Sequence, residues 1–293
     1  MNPDSLHKSV LLEEMINLLQ VKSGGKYIDA TVGGGGHTRK ILELGGQALG
    51  LDQDPQSVEI ARKNLESCPG KYKLVVANFS KISSITTEHG FSQVDGILMD
   101  LGFASFQIDD PTRGLSFSKE GPLDMRLDPN LGVTAADLVN SLPEKQLEHL
   151  FREFGEEPRA YKIARSIVEA RRVKPFKTTR DLAELVERVV PGGKQKIHPA
   201  TRVFMALRIA VNSELENLKS ALPHAVDLLK PGGRLAVISF HSGEDRIVKQ
   251  AFKKWEEEGR VASITKKPVI PSVEEIEENP RARSAKLRVI QKS

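Results

Sequence analysis

The chain has 293 residues, 39% of them hydrophobic, and a net charge of +4 at pH 7, enough to bury a sizeable core as one large or two modest domains. A single cysteine, Cys68, excludes a disulfide framework and a cysteine-based zinc site, and no metal is expected. No apolar run approaches the roughly 20 residues of a membrane span, and Met1–Lys8 lacks the basic-then-apolar layout of a signal peptide, so no membrane partner and a cytoplasmic location are expected.

The residues from Ser9 to Leu19 carry a helical apolar stripe at Val10, Leu11, Met15, Leu18 and Leu19. His7 precedes them, either near a ligand or simply solvated. Tyr27 to Val32 reads as a short buried strand, Gly33 to Gly36 as a tight turn, and His37 to Leu44 as a helix. A strand, a glycine turn and a helix N-terminus form a nucleotide cradle, because free N–H groups and the positive helix end face the turn. Gln47 to Asp52 is a second apolar strand, and an acid at its tip suits ribose hydroxyls. Asp54-Pro55 then caps a helix over 54–66.

The type of nucleotide follows from spacing. A dinucleotide fingerprint needs Gly-x-Gly-x-x-Gly, but its third place falls on Thr38 or Arg39. No P-loop pattern occurs. Asp29, Gly33 and Gly35 instead fit the glycine turn of S-adenosylmethionine-dependent methyltransferases, with Thr31 where those enzymes often have another glycine. A third strand over Tyr72–Ala77 leads to Asn78-Phe79-Ser80, where Phe79 sandwiches an adenine or fills the core. Val94–Asp100 is the fourth strand. Asp100-Leu-Gly-Phe103 then carries the acid and the aromatic, without the prolines, of the Asp/Asn/Ser-Pro-Pro-Tyr/Phe motif common in exocyclic-amine methyltransferases.

From Gln107 to about Arg202 the alternation of strand and helix stops. A polar, turn-rich segment over 109–128 precedes helices at about 134–141, 143–154, 158–172 and 178–190. The expected organisation is a first part of the sheet domain at 1–107, an inserted helical domain at 108–202, and a second part of the sheet domain at 203–293. Residues 152–208 hold 14 Lys/Arg against 7 Asp/Glu, which suits a polyanion surface and equally suits solvated helix faces. His198–Asn212 and Glu214–Leu229 read as helices, the second stopping at Lys230-Pro-Gly-Gly233. Arg234–Phe240 is the fifth strand. His241–Arg246 follows at its carboxyl end as site residues or as a capping box of Ser242 with Asp245, ahead of a helix over Ile247–Glu258. A closing strand is expected near 286–290.

Several long motifs coincide in this chain. They are His7-x-x-Val10-Leu-Leu, Asp29-Ala-Thr-Val-Gly-Gly-Gly-Gly-His37, Asp100-Leu-Gly, Gly114-Leu-Ser-Phe and Gly121-Pro-Leu-Asp-Met-Arg126. With them stand His198-Pro-Ala-Thr-Arg-Val-Phe, Ile238-Ser-Phe-His-Ser-Gly-Glu-Asp-Arg246 and Asn279-Pro-Arg-Ala-Arg-Ser-Ala-Lys-Leu-Arg288. Nearly end to end, the chain resembles the bacterial family that methylates the N4 amine of a cytosine in 16S ribosomal RNA, the small-subunit methyltransferase H family. Gly243 departs from it, standing where the family usually has leucine, and is expected to loosen that turn slightly.

The resemblance implies an α/β, class I (Rossmann-like) methyltransferase with a mostly parallel, doubly wound sheet and an inserted all-α domain. It implies S-adenosyl-L-methionine as methyl donor and 16S rRNA near the P site of the small ribosomal subunit as partner; a homodimer stays open. Carried over by motif, Gly34, Gly35, Gly36 and His37 hold the methionine part of the donor. Asp52 takes its ribose, Phe79 lies by its adenine, and Asp100 and Gln107 complete the pocket. Asp100, Phe103 and His241 are the catalytic candidates. Arg202, Arg208, Arg281, Arg283 and Lys286 are candidate RNA contacts, each with an ion-pair role as its alternative. Attack at cytosine C5 would want a cysteine nucleophile, and Cys68 is far in sequence from any strand tip. The rivals are an amino-methyltransferase acting on DNA or a small molecule, a non-catalytic ribosome-assembly factor and an NAD-dependent reductase.

Overall fold

A computed structural model describes residues 9–190 and 198–293, so His7 lies outside the described residues. The chain forms two compact units. One is made of its two flanks, up to Ala104 and from Leu215 onward, and the other of Ser105–Glu214.

The first unit is built on a seven-stranded sheet. Its strands are β1 (Lys26–Asp29), β2 (Gln47–Asp52), β3 (Tyr72–Val76), β4 (Val94–Asp100), β5 (Leu229–Ser239), β6 (Val261–Ser263) and β7 (Lys286–Lys292). They lie in the order β3-β2-β1-β4-β5-β7-β6. The first five are parallel, and β7 runs antiparallel between β5 and β6. Alternation along each strand divides the core into two layers. Ile28, Leu49, Ile97, Met99 and Val237 pack on one face with Leu218, Leu222, Phe252 and Trp255. Tyr27, Ala48, Leu98, Ile238 and Leu287 pack on the other with Met15, Leu19 and Ile41. Strands buried on both faces read as nearly continuous apolar runs, which is why β2 and β4 stand out in the sequence. The strand order reverses between β1 and β4, so a crevice opens at their carboxyl ends, the usual ligand site of open parallel sheets.

Several boundaries differ from the sequence reading. β1 ends at Asp29, and Val32 lies outside it, although its N–H still donates to Leu51 O at 2.7 Å. The helix Glu214–Leu228 does stop ahead of Lys230–Gly233, but that segment is not a free turn. It is an irregularity inside β5, between the pairs Val94↔Leu229 and Gly96↔Arg234. The helix after β5 runs Ser242–Glu257 rather than starting at Ile247. The short strand β6 and the helices Ile82–Glu88 and Val273–Glu278 complete the unit.

The second unit is helical, with helices Ala135–Ser141, Glu144–Glu153, Ala160–Arg171, Thr179–Val189 and Ala200–Val211 after the short Ser105–Asp109. Two of them open with capping boxes, Thr134 with Asp137 and Thr178 with Asp181. The turn-rich segment is fastened rather than loose. Asn212 accepts Leu127 N–H at 2.8 Å and donates to Met125 O at 2.8 Å, and Arg126 forks onto Asp124. Among the described residues no helix is long and apolar enough to cross a membrane.

Candidate active site at the strand tips

The site begins where β1 ends. Ala30 N–H donates to Leu98 O on β4 and Val32 N–H to Leu51 O on β2, so the chain leaves the sheet held from both sides. Gly33 and Gly35 then adopt φ values of +49° and +85°, which favour glycine. Gly35 caps the helix Gly36–Glu43, which opens with no side-chain cap and no acid in its first turn, leaving its positive end facing the turn. A Cβ at Gly36 would overlap the Ser9 hydroxyl, so the backbone here sits against the N-terminal segment. Gly34 O accepts from the Asn64 side chain at 2.9 Å.

Three carboxylates converge on this turn. Asp29 accepts the Thr38 hydroxyl at 2.7 Å and Thr31 N–H at 3.2 Å. Asp52 accepts Gly33 N–H at 3.0 Å and Asp54 N–H at 2.9 Å, so it pins the glycine turn to the tip of β2. Each of its oxygens keeps capacity for another donor. Asp100, at the tip of β4, is placed through its backbone, whose N–H donates to Thr31 Oγ1 at 2.6 Å. Its Oδ2 lies 3.8 Å from His37 Nδ1, and its buried Oδ1 has no hydrogen-bond partner among the described residues.

Burial disfavours the charged form of all three. It raises Asp29 to about 6 against the hydrogen bonds it accepts, and Asp52 to about 7 against the Asp54 and Gly33 amides. Asp100 is raised well above the ordinary carboxylate range, first by burial and then by the negative charge of Asp29 and Glu244. Among the described residues no lysine or arginine pairs with any of them. Buried carboxylates of this kind, with a spare acceptor, fit a ligand that brings positive charge and hydrogen-bond donors.

The tip of β5 completes the wall. His241 caps the helix Ser242–Glu257 in a capping box with Glu244, one residue earlier than the Ser242–Asp245 box expected from sequence. Buried Glu244 accepts Phe240 N–H at 2.8 Å and lies 3.2 Å from His241 Nε2. A Cβ at Gly243 would come within 3.1 Å of His241 Nδ1, so the missing side chain leaves room for that ring. Asp245 faces away from the helix cap and binds Arg288 at 2.7 Å and Lys286 at 3.2 Å, tying the helix to β7.

The expected site residues therefore divide into groups. Gly34, Gly35, Gly36, His37, Asp52 and Asp100 come together around the glycine turn. Phe79 opens the single helical turn after β3 and is half-buried against the core, while Phe103 is half-buried beyond β4. His241 and Lys286 stand at the β5–β7 edge, and Arg281 and Arg283 are exposed beside it. Gln107, Arg202 and Arg208 belong to the second unit. Gln107 is buried there, and Arg202 is 4.0 Å from Glu157. Arg208 is clasped by both oxygens of Glu214 at 2.8 and 2.9 Å with 12% of its side chain exposed, the ion-pair alternative rather than a displayed cation. Arg152–Glu148, Arg165–Glu169 and Lys174–Asp181 also pair in this unit, but their basic side chains stay 57%, 58% and 74% exposed on its surface. Glu244 lies in the His241–Arg246 stretch expected there, whereas Thr31, Thr38 and Asn64 shape the site without standing out in the sequence. The only signal was Thr31 at a place where glycine is common.

Known proteins resemble this chain along nearly its whole length. The MraW methylase family model matches residues 4–293. Ribosomal RNA small subunit methyltransferase H of Syntrophobacter fumaroxidans is 48% identical over 306 residues, covering 98% of this chain and 96% of that one. The protein of the same name from Coprothermobacter proteolyticus is 50% identical over 288 residues, with 98% and 96% covered. A solved rRNA methylase from Streptococcus thermophilus aligns over 97% of both chains at a TM-score of 0.47 and 11% identity, too distant to add to the argument.

Proposed function

The chain belongs to the MraW methylase family, and from that premise we propose that it methylates the N4 amine of a cytosine in the 16S RNA of the small ribosomal subunit, near the P site. The donor is S-adenosylmethionine, and the observation that carries the reading is Asp100 Oδ1, a buried acceptor without a partner among the described residues, beside the glycine turn. When bound, the donor supplies a sulfonium methyl that is already a good electrophile.

The protein's part is placement and charge. Gly34, Gly35, Gly36 and His37 hold the amino-acid end of the donor at the uncapped helix start, where N–H groups suit a carboxylate. Asp52 offers its remaining acceptor capacity to ribose hydroxyls, and Phe79 flanks the adenine. Cytosine N4 is a weak nucleophile because its lone pair is delocalised into the ring. Asp100 therefore accepts a hydrogen bond from the amine as it pyramidalises and orients its lone pair. Phe103 or Phe240 receives the face of a base that has left its stack. His241 orders the β5 tip through its pairing with Glu244, a positioning role. Arg202, Arg281, Arg283 and Lys286 are assigned to the RNA backbone, and Arg208 to holding its own unit together.

The test is methyl transfer from labelled donor to unmodified small subunits, naked 16S RNA and duplex DNA. Transfer to cytosine N4 in ribosomal RNA supports the reading. Label on DNA alone, or none on any substrate, removes it.

A further inference from the structure

We propose that a cavity between the tip of β5 and the start of β7 is a nucleotide subsite, taking a ribonucleotide that flanks the methylated base in the substrate strand. This rests on the reading of RNA as substrate. The cavity has a volume of about 430 Å³ and is walled by Phe240, Ile270, Pro271 and Ile276, with Arg283 and Lys286 at its edge. That is within the range of roughly 300–1,000 Å³ for small-ligand sites. An apolar slot beside two cations matches the two halves of a nucleotide, a stacking base and a phosphodiester.

Its place in the sheet ties it to the chemistry. Asp100 pairs with Ile238 on β5, and the next residue, Ser239, pairs with Lys286 on β7. Asp100 and Lys286 are thus about two strand spacings apart, roughly 10 Å, on the same edge of the sheet. Ser242 and Ser284 add hydroxyls to the lining.

The charge balance favours a phosphate. Among the described residues no carboxylate lines the cavity. Asp245 lies behind Lys286 and is shared with Arg288, so the three carry one net positive charge, and exposed Arg283 adds another. The acidic helix Val273–Glu278 contributes only Ile276 to the wall, while its Glu275 accepts Leu11 N–H at 2.7 Å. Ile270 is 65% exposed, an apolar side chain left in solvent at the mouth. That fits a wall covered when a base stacks on it.

The test uses the full chain and a fluorescein-labelled single-stranded oligoribonucleotide containing cytosine, read by anisotropy across a salt series. Arg283→Ala should lower affinity about 5- to 30-fold and make the slope of log affinity against log salt shallower by about 0.7, the share of one phosphate on a single strand. Arg283→Lys should keep the slope. Ile270→Ser should lower affinity roughly fivefold or more with the slope unchanged. Both positions are exposed, so donor affinity by calorimetry should equal the wild-type value in every variant. Wild-type RNA affinity in both Arg283→Ala and Ile270→Ser overturns the subsite, and is the result expected if the cavity instead holds a peptide. Loss of donor affinity alongside RNA affinity overturns it too. If the wild type methylates ribosomal RNA while these variants bind RNA normally, the subsite alone falls. If the wild type transfers no methyl group, the reading beneath it falls.

Discussion

Replacing Asp52 by asparagine separates the charge of this carboxylate from its shape. In the folded chain Asp52 titrates near 7, because burial outweighs the Asp54 and Gly33 amides that favour its anion. Donor binding that needs the ionised form should therefore weaken about tenfold for each pH unit below 7, or roughly 30-fold between pH 8 and pH 5.5. In Asp52→Asn one of the two amides now faces an NH2 group instead of an oxygen, and the ribose loses a charged acceptor. A hydrogen bond to a charged group contributes about 1.5–3 kcal/mol, so affinity at pH 8 should fall roughly 10- to 150-fold. Calorimetric titration with S-adenosylmethionine from pH 5.5 to 8.5 measures both effects, and the ligand's own titration cancels in the comparison. The sign of the stability change is opposite in the free protein. Asp29 and Asp52 have folded values above the unfolded one, so they favour folding most below about pH 4, and this contribution fades as pH rises toward 6–7. Donor should thus raise the melting temperature more at pH 8 than at pH 5.5. A wild-type affinity that is flat over this range, or an asparagine variant with the same slope, would refute the assignment of Asp52.

Asp100→Ala should lower single-turnover methyl transfer about 100- to 1,000-fold, the usual loss for one acceptor or donor aimed at a transition state, with little change in RNA binding; full retained modification would remove Asp100 from the chemistry. Thr31→Val leaves the part-buried Asp100 N–H without its acceptor and should destabilise the chain by about 1 kcal/mol in urea unfolding, while Thr31→Ser should be near wild type. Loss in Thr31→Ser with none in Thr31→Val would mean that the methyl group, not the hydroxyl, matters. Gly36→Ala should lower both melting temperature and donor affinity because its Cβ meets the Ser9 hydroxyl, and adding Ser9→Ala should recover much of the loss. No recovery in the double variant would place the strain elsewhere.

Much of this site was legible in the sequence because parallel strands buried on both faces and a run of glycines leave strong local signals. β2 and β4 start and end where their apolar runs do, and Asp54 caps the helix Pro55–Leu65 as Asp54-Pro55 implied. What escaped depends on long-range pairing or on unusual chemistry. Lys230-Pro-Gly-Gly233 has the composition of a helix stop, yet pairing of Leu229 and Arg234 with β4 keeps it inside β5. Val261–Ser263 is too short to announce itself and exists because β7 offers an antiparallel edge. Histidine is not a favoured N-cap residue, so Ser242 attracted the expectation, while buried Glu244 three residues on from His241 fixed the real box. For Arg208 the sequence left a displayed cation and an ion-pair partner both open, and the fold brings Glu214, six residues along, to hold it. Thr31 and Thr38 matter through hydroxyls aimed at β4 and β1, contacts that no local pattern encodes.

The most direct measurement is mass mapping of small-subunit RNA, taken from cells without this modification and incubated with the purified chain and isotope-labelled S-adenosylmethionine. The expected result is one labelled methyl on the N4 of a cytosine, absent with Asp100→Ala. Label on carbon C5, or unlabelled RNA under conditions where the chain binds its donor, would contradict a pocket built to bring a base amine to a sulfonium.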